Sequence, residues 1–181
     1  MLKTLRQMCR TGIVTVQPPS SDDALRNPGA LQLRILEVLG RALCIRAIDA
    51  GSCNGCELEI HALVNPIYNI EGLGIRFVAS PRHADLLLVT GPVARNMEAA
   101  LQRTYAATPD PKLVVAIGDC GCTGGIFGES YASCGRVSNV IKVDVAVPGC
   151  PPSPTQILRG ILTAISRSDS KPGKATAGHV P

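Results

Sequence analysis

Strand-length apolar runs recur five times along this chain with helix-patterned segments among them, and that alternation admits few architectures. The runs are Leu43 to Ile48, Gly74 to Ala79, Asp85 to Val89, Leu113 to Ile117 and Val143 to Val147. Asp85 to Val89 is almost wholly apolar, as expected of a strand covered on both faces. Val93, Met97, Leu101 and Tyr105 recur every fourth residue and predict a helix of three to four turns. Ile157, Leu158, Ile161, Leu162 and Ile165 predict a last helix. Its start is marked by Ser153 as N-cap, Pro154 at the first helical position and Gln156 completing a capping box. A further helix is expected to begin near Cys56. Strands alternating with helices predict an α/β fold, a mainly parallel sheet with helices on both faces.

Outside this core the chain divides by composition. Residues 1–42 read as an N-terminal extension, with either a short basic amphipathic helix or a frayed terminus over Met1 to Arg10, a linker over Gln17 to Asp22 and a helix near 30–39. Residues 43–167 form the α/β domain, and 168–181 read as a polar, mobile tail. The longest apolar runs are far short of a membrane span. Met1 to Arg6 lacks the apolar stretch of a secretory signal, so the expected setting is the cell interior, with thiols reduced. The net charge is +4 and Lys and Arg are scattered, while aromatic residues make up only 3% and Trp is absent. Neither a basic stripe nor a set of stacking platforms for nucleic acid is available, so no nucleic-acid partner is expected.

The cysteines carry the chemistry. There are eight, an even number that raises disulfides, but a reducing compartment and a chain of this length point to metal instead. In an open parallel sheet, ligands gather outside the carboxyl ends of the strands. The first strand runs into Asp49-Ala50-Gly51-Ser52-Cys53-Asn54-Gly55-Cys56, the fourth into Gly118-Asp119-Cys120-Gly121-Cys122, and the fifth into Pro148-Gly149-Cys150-Pro151-Pro152. All three cysteine loops therefore leave the sheet at one end. A C-x2-C pair with one cysteine from each of two other loops supplies the four thiolates that a 4Fe-4S cluster needs. Glycines allow backbone N–H groups to approach an anionic cluster closely. Structural zinc takes the same ligand set, although it more often uses two paired motifs. Spacing favours iron–sulfur and leaves zinc open. It also leaves Cys122 as a rival to Cys120, which is preferred for directly following a strand end. Cys44 lies inside an apolar strand and reads as a core residue, while Cys9 and Cys134 are isolated.

Four ordered segments resemble one family. They are Ser52 to Glu57, Ser80 to Pro92, Gly118-Asp119-Cys120 with Gly124-Gly125, and Val147 to Pro152. The family joins the small subunits of nickel–iron hydrogenases with the 20 kDa-type subunit of respiratory NADH:quinone oxidoreductase, and the likeness covers about residues 43–165. It implies a flavodoxin-like fold, with one 4Fe-4S cluster on Cys53, Cys56, Cys120 and Cys150, and so selects Cys120 over Cys122. The quinone-reducing branch typically has adjacent cysteines in the first motif. The spacing Cys53-Asn54-Gly55-Cys56 is closer to the membrane-bound, energy-converting hydrogenases, including those of formate hydrogenlyase type. Arg10 to Thr15 resembles that branch more weakly. The chain ends 31 residues after Cys150, so a single cluster is expected.

The function this implies is an electron-transfer small subunit of a membrane-bound nickel–iron hydrogenase, inactive alone and peripheral on the cytoplasmic side of the membrane. Its expected partners are the hydrogenase large subunit, a ferredoxin-like iron–sulfur subunit and integral membrane subunits. The alternatives are a quinone-reducing subunit of an NADH:quinone oxidoreductase-type complex, a hydrogenase-like complex whose large subunit has lost its nickel–iron centre, and a non-redox zinc module. By the resemblance an acid after the first motif, Glu57 or Glu59, is a candidate for a proton path, although from the residues alone a solvated helix face or a structural ion pair is the more ordinary reading. Arg82 and His83 are candidates for a place near the cluster or the partner, or simply for a surface turn. His61 and His179 read as structural.

Overall fold

The computed structural model describes Leu33 and residues 40–169. Leu33 is helical, and the rest of the segment expected as a helix near 30–39 lies outside the described residues. So do the helix or frayed terminus over Met1 to Arg10, the linker, and the tail beyond 169. In chain order the elements are β1 (Leu43–Asp49), α1 (Gly55–Ala62), β2 (Ile75–Phe77), β3 (Leu86–Thr90), α2 (Arg95–Ala107), β4 (Leu113–Ile117), α3 (Gly118–Thr123), β5 (Val145–Val147) and α4 (Pro154–Asp169), with short 3-10 turns at Ile70–Leu73, Pro81–His83 and Val137–Asn139.

The five strands form one sheet in the order β2-β1-β3-β4-β5, and every pairing is parallel. This is the flavodoxin-like order, whose reversal lies between β1 and β3. Side chains alternate across the sheet with period two. Leu43, Ile45, Leu86, Leu88, Val115, Ile117, Val145 and Val147 accordingly join Ile60 of α1 and Ile157, Ile161 and Ile165 of α4 in one core. Ile48, Leu87, Val89, Val114 and Ala116 face the other way and pack with Leu101 of α2, Val137 and Ile141. Helices therefore cover both faces, and β3 and β4 at the centre are buried along their whole length.

Register matters most for the site. Asp49 pairs with Thr90, Thr90 with Ile117, and Ile117 with Val147. The carboxyl ends of β1, β3, β4 and β5 thus form one level row, and whatever follows each strand starts from the same edge.

Element boundaries depart from the sequence reading where side chains and glycines intervene. Gly74 closes the preceding 3-10 turn at φ 78°, so β2 begins at Ile75. Asp85 stands just before β3, its carboxylate accepting from the Cys44 amide and pairing with Arg41. Asp144 does the same before β5, accepting from the Val114 amide, so Val143 and Asp144 stay outside the strand. Val93 is buried ahead of α2 rather than within it, exchanging backbone hydrogen bonds with Gly135 and Cys134. The start of α4 is as expected. Ser153 N–H donates to the Gln156 side chain at 2.8 Å, and Gln156 N–H returns to Ser153 Oγ at 3.4 Å.

Leu88 is fully buried in β3 between neighbours on both sides. Leu88→Ala is expected to cost about 2–5 kcal/mol of stability, read as a shifted denaturant midpoint at unchanged slope.

Candidate functional site: a four-thiol centre at the strand ends

Cys53 precedes α1 and Cys56 lies in its first turn. Their loop is shaped by Asp49, whose carboxylate accepts from the Gly51 and Ser52 amides, both at 2.8 Å. The loop then has to cross β3, because β1 and β4 are two strands apart, about 10 Å at the usual inter-strand spacing. It crosses at Gly91, the residue that follows β3. A side chain on Gly91 would meet the Ser52 amide nitrogen at 2.6 Å, and the residue sits at φ 76°. The absence of a Cβ there lets the β1 loop lie directly over the end of β3.

On the far side it meets the end of β4. Gly118, at φ 81°, sits so close that a Cβ on it would come within 2.6 Å of Cys56 Sγ. The Cys120 thiol in turn lies against the backbone of Gly125, 2.8 Å from where a Cβ would stand. The β4 and β5 loops are joined by two hydrogen bonds. Asp119 N–H donates to the Gly149 carbonyl and Gly149 N–H donates to the Asp119 carboxylate, both at 2.8 Å. Pro151, just after Cys150, lies 3.9 Å from the Cβ position of Gly55. The three loops therefore touch one another.

The electrostatics point to the same grouping. Cys56 is pushed up to about 12, by burial first and then by the charges of Glu57, Cys53, Cys120 and Cys150. Cys120 is raised by burial, then by Cys150, Cys53 and Asp119. Cys56 and Cys120 are thus held toward the neutral thiol, by burial first and by neighbouring charges second, and a cationic centre would favour their thiolates. Cys53 and Cys150 are exposed, while Cys56 and Cys120 are partly buried. Among the described residues no group of three or more His, Cys, Asp or Glu side chains is set to hold a single metal ion.

Cys122 is brought elsewhere. Its thiol faces the Ala116 carbonyl at 3.7 Å. It is raised to about 11 by burial, opposed by a backbone hydrogen bond at Val147, with Asp119 raising it further and no other cysteine contributing. Cys44 is buried in β1. Cys134 is buried beside α2, 3.3 Å from the Glu98 carboxylate. Cys9 lies outside the described residues. The segment from Gly118, read as a glycine-rich loop, is the short helix α3, so Cys120 is held by helical backbone.

Of the two acids, Glu57 differs sharply from Glu59. Both carboxylate oxygens of Glu57 are buried without a hydrogen-bond partner, next to Cys56. Glu59 is partly exposed. Arg82 and His83 are exposed on the turn ahead of β3. That is the amino end of the strand, whereas the cysteine loops leave carboxyl ends, so a place near the thiols is ruled out for both. His61 is exposed, and His179 lies outside the described residues. An open cavity of about 330 Å³ lined by Thr123, Glu129, Gly135, Arg136 and Asn139 lies beside α3 and includes none of the four thiols. Sequence reasoning did not single out Asp49, Gly91 or the Asp119–Gly149 pair. Asp49-Ala50-Gly51-Ser52 carried a signal for the first, since an Asp ahead of Gly and Ser favours such a turn.

Residues 53–164 match the family described as the NADH ubiquinone oxidoreductase 20 kDa subunit. The chain is 43% identical to a probable membrane-bound hydrogenase subunit, mbhJ, of Pyrococcus furiosus, over 82% of this chain and 86% of the relative. It is 38% identical to formate hydrogenlyase subunit 7 of Escherichia coli, over 85% of this chain but 59% of that longer protein. It is 44% identical to an NADH-quinone oxidoreductase subunit of Heliobacterium modesticaldum, over 59% of this chain and 62% of the relative. A chain of the membrane-bound sulfane sulfur reductase, an archaeal respiratory membrane complex, superposes with a TM-score of 0.64 at 32% identity, covering 80% of this chain and 77% of that one. A chain of an NAD+-reducing [NiFe]-hydrogenase shares the fold, with a TM-score of 0.55 at 17% identity, over 75% of this chain and 97% of that one.

Gly118→Ala is expected to strain the backbone by about 1–2 kcal/mol and to displace the Cys56 thiol. Iron retained after anaerobic reconstitution should fall well below wild type, and wild-type iron content would refute the cradle.

Proposed function

The chain belongs to the NADH ubiquinone oxidoreductase 20 kDa subunit family, and from that membership we propose that it is the electron-transfer small subunit of a membrane-bound nickel–iron hydrogenase complex. The observation that carries the reading is the convergence of Cys53, Cys56, Cys120 and Cys150 from three loops on one space. The donor set is soft and the Gly118 and Gly125 cradle leaves room beside two of the thiols, which suits a 4Fe-4S cluster. In this reading those four thiolates hold the cluster, which supplies one-electron transfer when bound. The chain's own residues fix its position and the charge and hydrogen bonding around it. A large subunit with the nickel–iron centre, a ferredoxin-like subunit and integral membrane subunits are the proposed partners. No helix among the described residues is long and apolar enough to cross a membrane, and the proposed placement is peripheral, on the cytoplasmic side. The coverage of the hydrogenase relative mbhJ and the Cys53-x2-Cys56 spacing support the hydrogenase branch.

Two relatives favour other members of the same group. The likeness to a chain of the membrane-bound sulfane sulfur reductase supports a respiratory membrane complex other than a hydrogenase, and the NADH-quinone oxidoreductase relative supports a quinone-reducing one. Hydrogen uptake or evolution by the purified complex separates them from the first reading.

Glu57 is the proposed proton-path residue, because its carboxylate is buried without a partner beside Cys56. Glu57→Gln should slow turnover of the whole complex at least tenfold with iron content unchanged, and an equal effect from Glu59→Gln would remove the assignment.

The cluster itself is tested by anaerobic iron and sulfide analysis with electron paramagnetic resonance on dithionite-reduced protein. About four irons per chain are expected, with the reduced signal lost or altered in Cys120→Ser and kept in Cys122→Ser. Zinc in place of iron, or indifference to Cys120→Ser, would leave a structural zinc module.

A further inference from the structure

Each of the two single-cysteine loops has its ligand candidate preceded by a residue that binds the other loop. Asp119 stands immediately before Cys120 and Gly149 immediately before Cys150. Between them run two hydrogen bonds, one from each backbone amide. The Asp119 backbone and side chain thus bracket Gly149 from both sides. Pro152 packs so closely on Gly149 that a Cβ there would come within 2.7 Å of its Cα, so the turn admits only glycine. Fixing Gly149 therefore fixes where Cys150 starts. This matters because Cys150 is exposed and its loop is bounded by solvent. The same carboxylate lies near enough to raise both Cys120 and Cys122.

We propose that Asp119 is a positioning residue with two separable roles, its hydrogen bond latching the Cys150 loop to the Cys120 loop and its negative charge biasing the thiolate centre toward the more oxidised state. The second role rests on the proposed cluster; the first does not. A carboxylate next to an anionic centre disfavours an added electron. The bond and the charge come from one side chain but are removed by different substitutions. In Asp119→Asn the amide oxygen still accepts from Gly149 N–H while the charge is gone. In Asp119→Ala both are gone.

The test measures two things on the full chain. The first is hydrogen–deuterium exchange over the peptide containing Gly149. Exchange there should rise at least tenfold in Asp119→Ala and stay near wild type in Asp119→Asn. The second is a redox titration of the iron–sulfur signal followed by electron paramagnetic resonance. The midpoint potential should move upward in Asp119→Asn with iron content kept, and Asp119→Ala should retain less iron than Asp119→Asn. Unchanged exchange in Asp119→Ala overturns the latch. An unmoved or lowered potential in Asp119→Asn with iron at the wild-type level overturns the charge role. A wild-type chain that takes up no iron overturns the cluster reading together with the charge role, and exchange then judges the latch alone. Wild-type exchange over β3 and β4 in Asp119→Ala excludes general unfolding as the cause of faster exchange at Gly149.

Discussion

Nothing in the chemistry of four cysteines on three separate loops brings them together. What brings them together is the level row of carboxyl ends, Asp49, Thr90, Ile117 and Val147, set by parallel register. That register is held by backbone pairing and by apolar side chains on both faces of β3 and β4. A slip of one residue would exchange the side chains of the two cores and disrupt the packing of both, which holds the register. The burial that chiefly raises Cys56 and Cys120, and the neighbouring charges that add to it, are thus imposed by the sheet. Once the row is set, short connections suffice. The Asp49 turn starts the first loop, Gly91 lets it cross β3, and the Asp119–Gly149 pair joins the other two.

Much of the fold was legible because its signals are local. Leu86 to Val89 and Leu113 to Ile117 are apolar throughout, which buried parallel strands require. The Ser153–Gln156 capping box is local too, and α4 begins where it predicts. Misreadings of extent arose where a single side chain decided the boundary. Asp85 and Asp144 each commit a carboxylate to a neighbouring strand's amide instead of joining their own strand. No period or propensity announces such a bond between residues 30 or more positions apart. The helix α3 was hidden by its composition, since Gly118 and Gly121 are poor helix formers and packing against β3, β4 and β5 overrides that preference.

The grouping of the cysteines was legible for the same reason as the strands, because strand ends can be counted. Their neighbours were not. Glu57 and Glu59 looked equivalent in sequence, and only the fold shows that one carboxylate is enclosed without a partner while the other reaches solvent. Arg82 and His83 belong to a sequence segment that carries the family resemblance, yet they lie at the opposite end of β3 from the thiols. Proximity in a motif does not imply proximity in space.

A scaffold of this kind does not specify the reaction that a complex performs. Relatives named as hydrogenase, formate hydrogenlyase and NADH-quinone oxidoreductase subunits, and a sulfane sulfur reductase chain, all resemble it. The sequence feature taken to favour the proposed branch is the spacing of the first two thiols. Here Cys53 stands ahead of α1, on the loop that crosses Gly91, and Cys56 stands in the first helical turn against Gly118. Two adjacent cysteines on a helix would point about 100° apart and start from the same level. The two intervening residues let one thiol come from extended chain and the other from helix, and Asn54, at φ 72°, makes the change of direction between them. The geometry of the pair therefore depends on the Asn54 backbone as much as on the cysteines. That ties the spacing of the first two thiols to the conformation of one loop.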